Sequence, residues 1–133
     1  MNDGAKIKVG IIGVGNCFAG LIQGFEYYKN NPERQVIGLM NQNMAGYTFR
    51  DIEFVAAFDV AANKIGKILS EAVYMAPNLV NWLKLPAGGP IVLEAPVSDG
   101  IGIYVANKVV PLANPAAEAE LRVKILEEIR RTG

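Results

Sequence analysis

Hydrophobic positions along the chain alternate between short continuous runs and stripes that repeat every three or four residues. The short runs are rich in isoleucine, valine and phenylalanine and stop at turn-forming residues, which is typical of buried strands. They predict three strands, over residues 6–12, 52–58 and 90–95. The stripes predict three helices, over residues 16–29, 62–74 and 115–132. Strands that alternate with helices in this way indicate a parallel sheet with helices packed on its faces.

The last predicted helix carries the clearest boundary signals. Asn114 is the expected N-cap, Pro115 occupies the first helical position, and Gly133 is the expected C-cap. Three pairs of opposite charge stand four residues apart, in the order that stabilises a helix. These pairs are Glu118 with Arg122, Glu120 with Lys124, and Glu127 with Arg131. The middle helix is weaker because Gly66 interrupts it, and we expect its Lys64 to lie on a solvated face.

The whole chain, residues 1–133, is predicted to form one partial α/β domain. Residues 30–50 have no sustained period and form an irregular insertion, with one short element expected near 36–40. The sequence stops at the cap of the third helix, where a doubly wound domain would continue into a fourth strand. We therefore expect an α/β fold, a parallel sheet with flanking helices, truncated after its third strand–helix unit. The outer edge of the first strand is then unpaired, which favours self-association or a complementary chain.

Composition narrows the possible functions. Of the 133 residues, 51% are hydrophobic types, which excludes general disorder, and 13 basic residues balance 13 acidic ones, which leaves no electrostatic attraction for nucleic acid. Histidine is absent, and the single cysteine, Cys17, can form neither an internal disulfide nor a thiolate zinc site. The glycine-containing run at 9–25 is a poor membrane span and a poor signal peptide. We therefore expect a cytoplasmic protein with no metal and no membrane partner.

The strongest functional signal is a glycine turn between the first predicted strand and the first predicted helix. It comprises Gly13, Val14, Gly15, Asn16 and Cys17. In such a turn the first glycine permits a sharp bend, and the second lets the backbone approach a pyrophosphate at the positive end of the helix. The third glycine of the usual pattern is missing. The position between strand and helix favours dinucleotide binding over the alternative, a glycine turn without a ligand.

Acidic residues follow the second and third predicted strands, at the edge where doubly wound folds bind ligands. Asp59 is placed to hydrogen-bond the ribose hydroxyls of an adenosine half, which favours NAD over NADP; alternatively, it caps the next helix. Together with the glycine turn, Asp59 predicts that residues 1–133 form a single, partial NAD-binding domain of Rossmann type. Asp99 begins an Asp-Gly-Ile-Gly segment that lies either beside the ligand or in a plain turn. Cys17 has no neighbouring base, so we expect a small residue packed near the cofactor and not a nucleophile.

Five segments of the chain occur in an order that is specific to one enzyme family. Together they resemble the prokaryotic and archaeal myo-inositol-1-phosphate synthases, also called inositol-3-phosphate synthases, over residues 7–107. The segments lie at residues 13–17, 23–28, 38–40, 54–60 and 99–102. The irregular insertion matches this family as well as the glycine turn does.

The resemblance implies an isomerase of inositol biosynthesis with a tightly bound NAD. In the family, NAD oxidises glucose 6-phosphate at C5, the resulting ketone permits ring closure, and the same cofactor returns the hydride to give inositol 1-phosphate. The resemblance assigns the pyrophosphate turn to Gly13, Val14, Gly15, Asn16 and Cys17, the ribose contact to Asp59, and a place near the cofactor to Asp99.

Family members are much longer than this chain. The lysines that stabilise the enolate, and the sugar-phosphate pocket, lie in a segment that would follow Gly133, so we expect this chain alone to be catalytically incomplete. Two alternatives stay open. One is a stand-alone NAD-binding regulatory module, and the other is part of a different NAD-dependent oxidoreductase.

Overall fold

Three parallel strands form the centre of the structure, which is a computed structural model. It describes residues 4–31, 38–98, 102–104, 106–111 and 117–133. The strands are β1 (Ile7–Ile12), β2 (Ile52–Asp59) and β3 (Val92–Glu94). The helices are α1 (Asn16–Asn30), α2 (Leu69–Ala72) and α3 (Glu118–Thr132), and a short 3-10 helix (Phe49–Asp51) precedes β2. The predicted α/β fold with a parallel sheet is confirmed.

The strands lie side by side in the order β1-β2-β3. β2 is central and pairs in parallel with both neighbours, and in the described part of the chain β1 pairs with β2 alone. Because all three strands run the same way, their carboxyl ends meet at one edge of the sheet. Ile12, Asp59 and Glu94 end the strands there. The glycine turn after β1 and the carboxylate of Asp59 are therefore brought to the same edge.

Helices cover both faces of the sheet. One face, together with α1 and α2, forms a core of buried apolar residues: Val14, Phe18, Ala19, Ala57, Leu69, Ala72, Val73, Leu85 and Val92. On the other face, Ile125 of α3 packs against a second buried cluster, Ala56, Phe58 and Ala95. Alternate residues of β2 thus serve opposite layers, as the pleat requires.

A register shift in β2 keeps large side chains on the correct face. Val9 pairs with Phe54 whereas Gly10 pairs with Ala56, so β2 holds one extra residue at this point. Phe54, before the shift, and Ala57, after it, can then both face α1. Phe54 meets Phe18 of α1 edge to face, with ring centroids 5.2 Å apart.

Gln23 joins α1 to the loop that follows α2. Its side chain is fully buried, and Nε2 donates to the carbonyls of Ala19 and Val80. Oε1 accepts from the amides of Trp82 and Leu83. All the polar capacity of this amide is used, so burial costs little and the loop is fixed against the helix.

The predicted helix over 62–74 is wrong in extent, since only Leu69–Ala72 is α-helical. Gly66 adopts a left-handed backbone with φ +80°, which ends any right-handed helix. The segment then pairs with the start of β3: the Gly66 amide donates to the Val92 carbonyl, and the Val92 amide donates to the Lys67 carbonyl. Long-range backbone pairing thus replaces the helix that the apolar spacing favours.

α3 begins at Glu118, later than predicted. The expected cap residues Asn114 and Pro115 lie outside the described residues. Two of the predicted ion pairs form, Glu118 with Arg122 at 3.8 Å and Glu120 with Lys124 at 2.7 Å. The third prediction is wrong, because the Arg131 guanidinium binds both carboxylate oxygens of Glu128 and not Glu127. A two-bond fork with Glu128 outweighs a single contact.

Between α1 and β2 the described residues form one isolated antiparallel bridge, Met44 to Tyr47, and the 3-10 helix. Thr48 and Asp51 cap that helix reciprocally: Asp51 accepts from the Thr48 amide, and the Thr48 hydroxyl accepts from the Arg50 amide. The element expected near 36–40 is not formed at 38–40, and residues 32–37 lie outside the described residues.

Of the helices in the described ranges, none combines the length and the apolar character that a bilayer crossing requires.

Gly66→Ala is expected to destabilise the chain, because φ +80° strains any side chain. We expect the free energy of unfolding, measured by urea denaturation, to fall by about 1–2 kcal/mol. Gly24→Ala is the matched control within α1, where a Cβ meets no atom within 4 Å, and it should raise the free energy by up to about 1 kcal/mol. Equal effects of the two substitutions would refute the role of Gly66 as a helix breaker.

Candidate functional site

The glycine turn leaves the sheet directly after β1 and leads into α1. Gly13 has φ +92°, a backbone that favours glycine, and its amide donates to the Phe58 carbonyl at 2.8 Å. Gly15 is the N-cap of α1, with an extended backbone at φ −92°. A Cβ added at either glycine would meet no atom within 4 Å. The missing side chains therefore leave open space over the turn, as a closely approaching ligand requires.

The first turn of α1 presents unpaired backbone donors to that space. The first helical hydrogen bond runs from the Ala19 amide to the Gly15 carbonyl at 2.9 Å, so the amides of Asn16, Cys17 and Phe18 have no acceptor within the helix. No side chain caps this end, and no acidic residue lies in the first turn. The helix dipole adds partial positive charge here. The arrangement can bind an anion such as a phosphate.

Asp59 lies beneath the turn and is only 7% exposed. One carboxylate oxygen, Oδ2, accepts from the Val14 amide at 2.7 Å, and the other, Oδ1, accepts from the Ala61 amide at 2.8 Å. The alternative prediction, that Asp59 caps the next helix, is wrong. The next helix, α2, begins only at Leu69. The ribose contact stays a prediction, and each oxygen retains a lone pair for it.

Lys64 contradicts the expectation of a solvated face, since it is 3% exposed. Its ammonium donates to the Val14 carbonyl at 2.7 Å and to Asn78 Oδ1 at 3.1 Å, and lies 3.9 Å from Asp59 Oδ2. The prediction failed because residues 62–67 turn beneath the glycine turn and do not form an exposed helix. Burial lowers the pKa of the Lys64 ammonium below its ordinary value, and the charge of Asp59 opposes that shift.

Asn78 belongs to the site although no sequence signal marked it. Its Nδ2 donates to the carbonyls of Val14 at 3.0 Å and Val73 at 2.9 Å. The next residues of the same loop bind the turn as well, because the amides of Leu79 and Val80 donate to Asn16 Oδ1. Residues 78–80 thereby form the floor of the site.

Six of the seven predicted site residues fall within the described part of the chain. Gly13, Val14, Gly15, Asn16 and Cys17 form the turn, and Asp59 joins it. The Cys17 thiol is free and exposed. Asp99 lies outside the described residues. Within the described ranges, no group of three or more histidine, cysteine, aspartate or glutamate side chains is arranged to hold a metal ion.

Comparison of the sequence with curated proteins finds relatives that share most of this chain. The chain is 44% identical over 108 residues to an inositol-3-phosphate synthase of Mycolicibacterium smegmatis, covering 78% of this chain and 29% of that protein. It is 47% identical over 100 residues to an inositol-3-phosphate synthase of Corynebacterium glutamicum, covering 74% of this chain and 28% of that one. The chain is homologous to the inositol-3-phosphate synthases. The resemblance noted in the sequence is confirmed, and the chain spans about three tenths of the length of these curated relatives.

Solved structures show the same fold. A protein named Ari2 superimposes with a TM-score of 0.71 at 26% identity, over 96% of this chain and 35% of that one. A myo-inositol-1-phosphate synthase-related protein from Thermotoga maritima gives a TM-score of 0.63 at 22% identity, over 96% of this chain and 32% of that one. No protein-family profile matches the chain.

Lys64→Met is expected to lower the free energy of unfolding by about 3–5 kcal/mol, because it leaves the Asp59 carboxylate buried without its cation. Urea denaturation measures this change. Lys84→Met removes an exposed lysine and is the matched control, with an expected change below about 0.5 kcal/mol.

Asp59→Asn is expected to cost less stability in Lys64→Met than in the unmodified chain, since in the double variant it also removes the uncompensated charge. The double-mutant cycle should give a coupling of about 0.5–3 kcal/mol. Costs that simply add would mean that the two side chains do not act as a pair.

Proposed function

We propose that this chain is the NAD-binding portion of an inositol-phosphate synthase-like enzyme. The observation that carries the proposal is the open glycine turn at the start of α1, with unpaired amides and room for close approach, in a chain homologous to inositol-3-phosphate synthases. The enzyme so formed would convert glucose 6-phosphate to myo-inositol 1-phosphate, with NAD supplying the hydride acceptor and donor.

The residues of the turn fit a dinucleotide pyrophosphate. The amides at the start of α1, at Gly15, Asn16 and Cys17, would donate to it, and Gly13 and Gly15 leave the space it needs. The first turn of α1 holds no carboxylate that would repel it. Asp59, at the carboxyl end of β2, would accept from a ribose hydroxyl with the lone pairs that its backbone contacts leave free.

We assign cofactor binding, and not ring closure, to this part of the enzyme. The exposed Cys17 thiol is the reactive side chain within the described turn, and no described base accompanies it there. The chain also spans only about three tenths of the synthases that it matches. We therefore place the acid–base and sugar-phosphate chemistry in the part of the synthases that this chain does not span.

Calorimetric titration of the full chain with NAD tests the proposal, with Gly15→Ala as the decisive variant. The φ of −92° suits alanine and the new methyl group meets no protein atom, so the melting temperature should change little. The methyl group would occupy the space of the pyrophosphate, so we expect the Kd for NAD to rise at least about tenfold, roughly the loss of one charge-assisted hydrogen bond.

Gly24→Ala is the control for this experiment, because it adds the same methyl group within α1 but away from the turn. It should bind NAD as the unmodified chain does. Absence of NAD binding by the folded chain would refute the proposed function. Unchanged binding by Gly15→Ala would refute the placement of the pyrophosphate at this turn.

A further inference from the structure

The geometry points to Lys64 and Asn78 as positioning residues that aim the Gly15 amide at the phosphates of a bound dinucleotide. This inference rests on the proposed NAD binding and deepens it. Neither residue would touch the cofactor. Both would act through the Val14 carbonyl, which they hold from inside the protein.

Val14 is held at both of its backbone polar groups. Its side chain is fully buried in the core beneath α1. Its amide donates to Asp59, and its carbonyl accepts from Lys64 at 2.7 Å and from Asn78 at 3.0 Å. Three side chains from outside the turn therefore converge on one residue of the turn.

The geometry of the peptide bond means that the contacts to the Val14 carbonyl also fix the direction of the Gly15 N–H. The Val14 carbonyl and the Gly15 amide belong to one planar trans peptide, in which the C=O and N–H bonds point in opposite directions. Because the carbonyl points inward to Lys64 and Asn78, the Gly15 N–H points away from them. The space beside Gly15 is open, since a Cβ there would meet no atom within 4 Å.

Without these two donors, rotation of the peptide between Val14 and Gly15 would become favourable. The Val14 carbonyl would be a buried acceptor without a partner, an arrangement that proteins avoid. Glycine at position 15 offers little resistance to such a rotation, because its backbone is permissive. Gly15, which leaves space for the phosphate, thus also allows the peptide to take more than one orientation. Lys64 and Asn78 fix one of these orientations.

The two donors are themselves held in place. Asn78 also donates to the Val73 carbonyl at 2.9 Å, and the following loop is bound by Asn16. Lys64 binds Asn78 Oδ1 and lies beside Asp59, which balances its charge. The arrangement therefore exists before any ligand binds, and binding needs no reorganisation of the turn.

The test uses the isotope-labelled full chain, amide NMR, and titration with two probes, NAD and inorganic pyrophosphate. In the unmodified chain the Gly15 amide signal should shift on saturation with either probe. In Asn78→Ala and Lys64→Met we expect the Kd for NAD to rise at least about tenfold, the size of one lost charge-assisted hydrogen bond, and the Gly15 shift to shrink. Well-dispersed spectra away from the turn will show that the variants are folded.

Exposed residues of the same types are the controls, Asn81→Ala and Lys84→Met, and both should bind NAD as the unmodified chain does. Asn78→Ala leaves the pair of Lys64 with Asp59 in place, so it decides the question if Lys64→Met does not fold. If neither variant folds, a Gly15 signal of the unmodified chain that does not shift at saturation still overturns the inference. A purely structural role would lower stability in the variants but would leave the Kd of the folded protein and the Gly15 shift unchanged.

The outcomes separate this inference from the proposed function. NAD binding that is unchanged in the folded variants, or a Gly15 signal that does not move at saturation, overturns the positioning role alone. Binding of pyrophosphate without binding of NAD, with the variants weakened, overturns the proposed function but leaves Lys64 and Asn78 as the residues that aim the Gly15 amide at a phosphate. Binding of neither probe by the unmodified chain overturns both.

Discussion

The hold on the Val14 backbone is the constraint on which the rest of the structure depends. The end of β1, the end of β2 and the segment around α2 all meet at this residue, through Gly13, Asp59 and Lys64. A lysine and an aspartate removed from water are costly unless their hydrogen-bonding capacity is used. Here both bind the backbone of Val14, and the Ala61 amide and the Asn78 side chain supply the further partners. The glycine turn, which by itself would be adaptable, is thereby given one conformation.

The start of α1 shows how function competes with local stability. A serine, asparagine or aspartate at the N-cap would stabilise this helix by roughly a few tenths of a kcal/mol more than glycine does, yet Gly15 stands there and no side chain caps the end. The unpaired amides of the first turn would be stabilised only by a bound anion that accepts their hydrogen bonds. Meanwhile the helix is secured elsewhere, by Gln23 and by the packing of Phe18 against Phe54. These contacts offset the stability that α1 loses at its uncapped N-terminus.

Local patterns predicted the parts of the fold that local physics determines. β1, the glycine turn and α1 lie within a residue or two of their predicted positions, because strand, bend and amphipathic helix are each encoded in adjacent residues. The predicted helix over 62–74 is wrong because Gly66 and Lys67 pair with β3, a contact that spacing within the segment cannot reveal. For the same reason the sequence predicts an exposed Lys64, a residue type that is usually at the surface, whereas the folded chain buries it. Asn78 carried no signal at all, since its role depends on where its loop returns in space.

The balance of charge explains why geometry matters so much at this site. Basic and acidic residues are equal in number, so the chain has no net field to draw in an anion from a distance. The one cation buried under the turn, among the described residues, is offset by Asp59 beside it. Attraction for a phosphate must then come from aligned backbone amides and the helix end, whose effect falls off within a turn of helix. Such short-range donors are effective only when they are correctly aimed, so the side chains that orient the turn become as important to binding as the groups that touch the ligand.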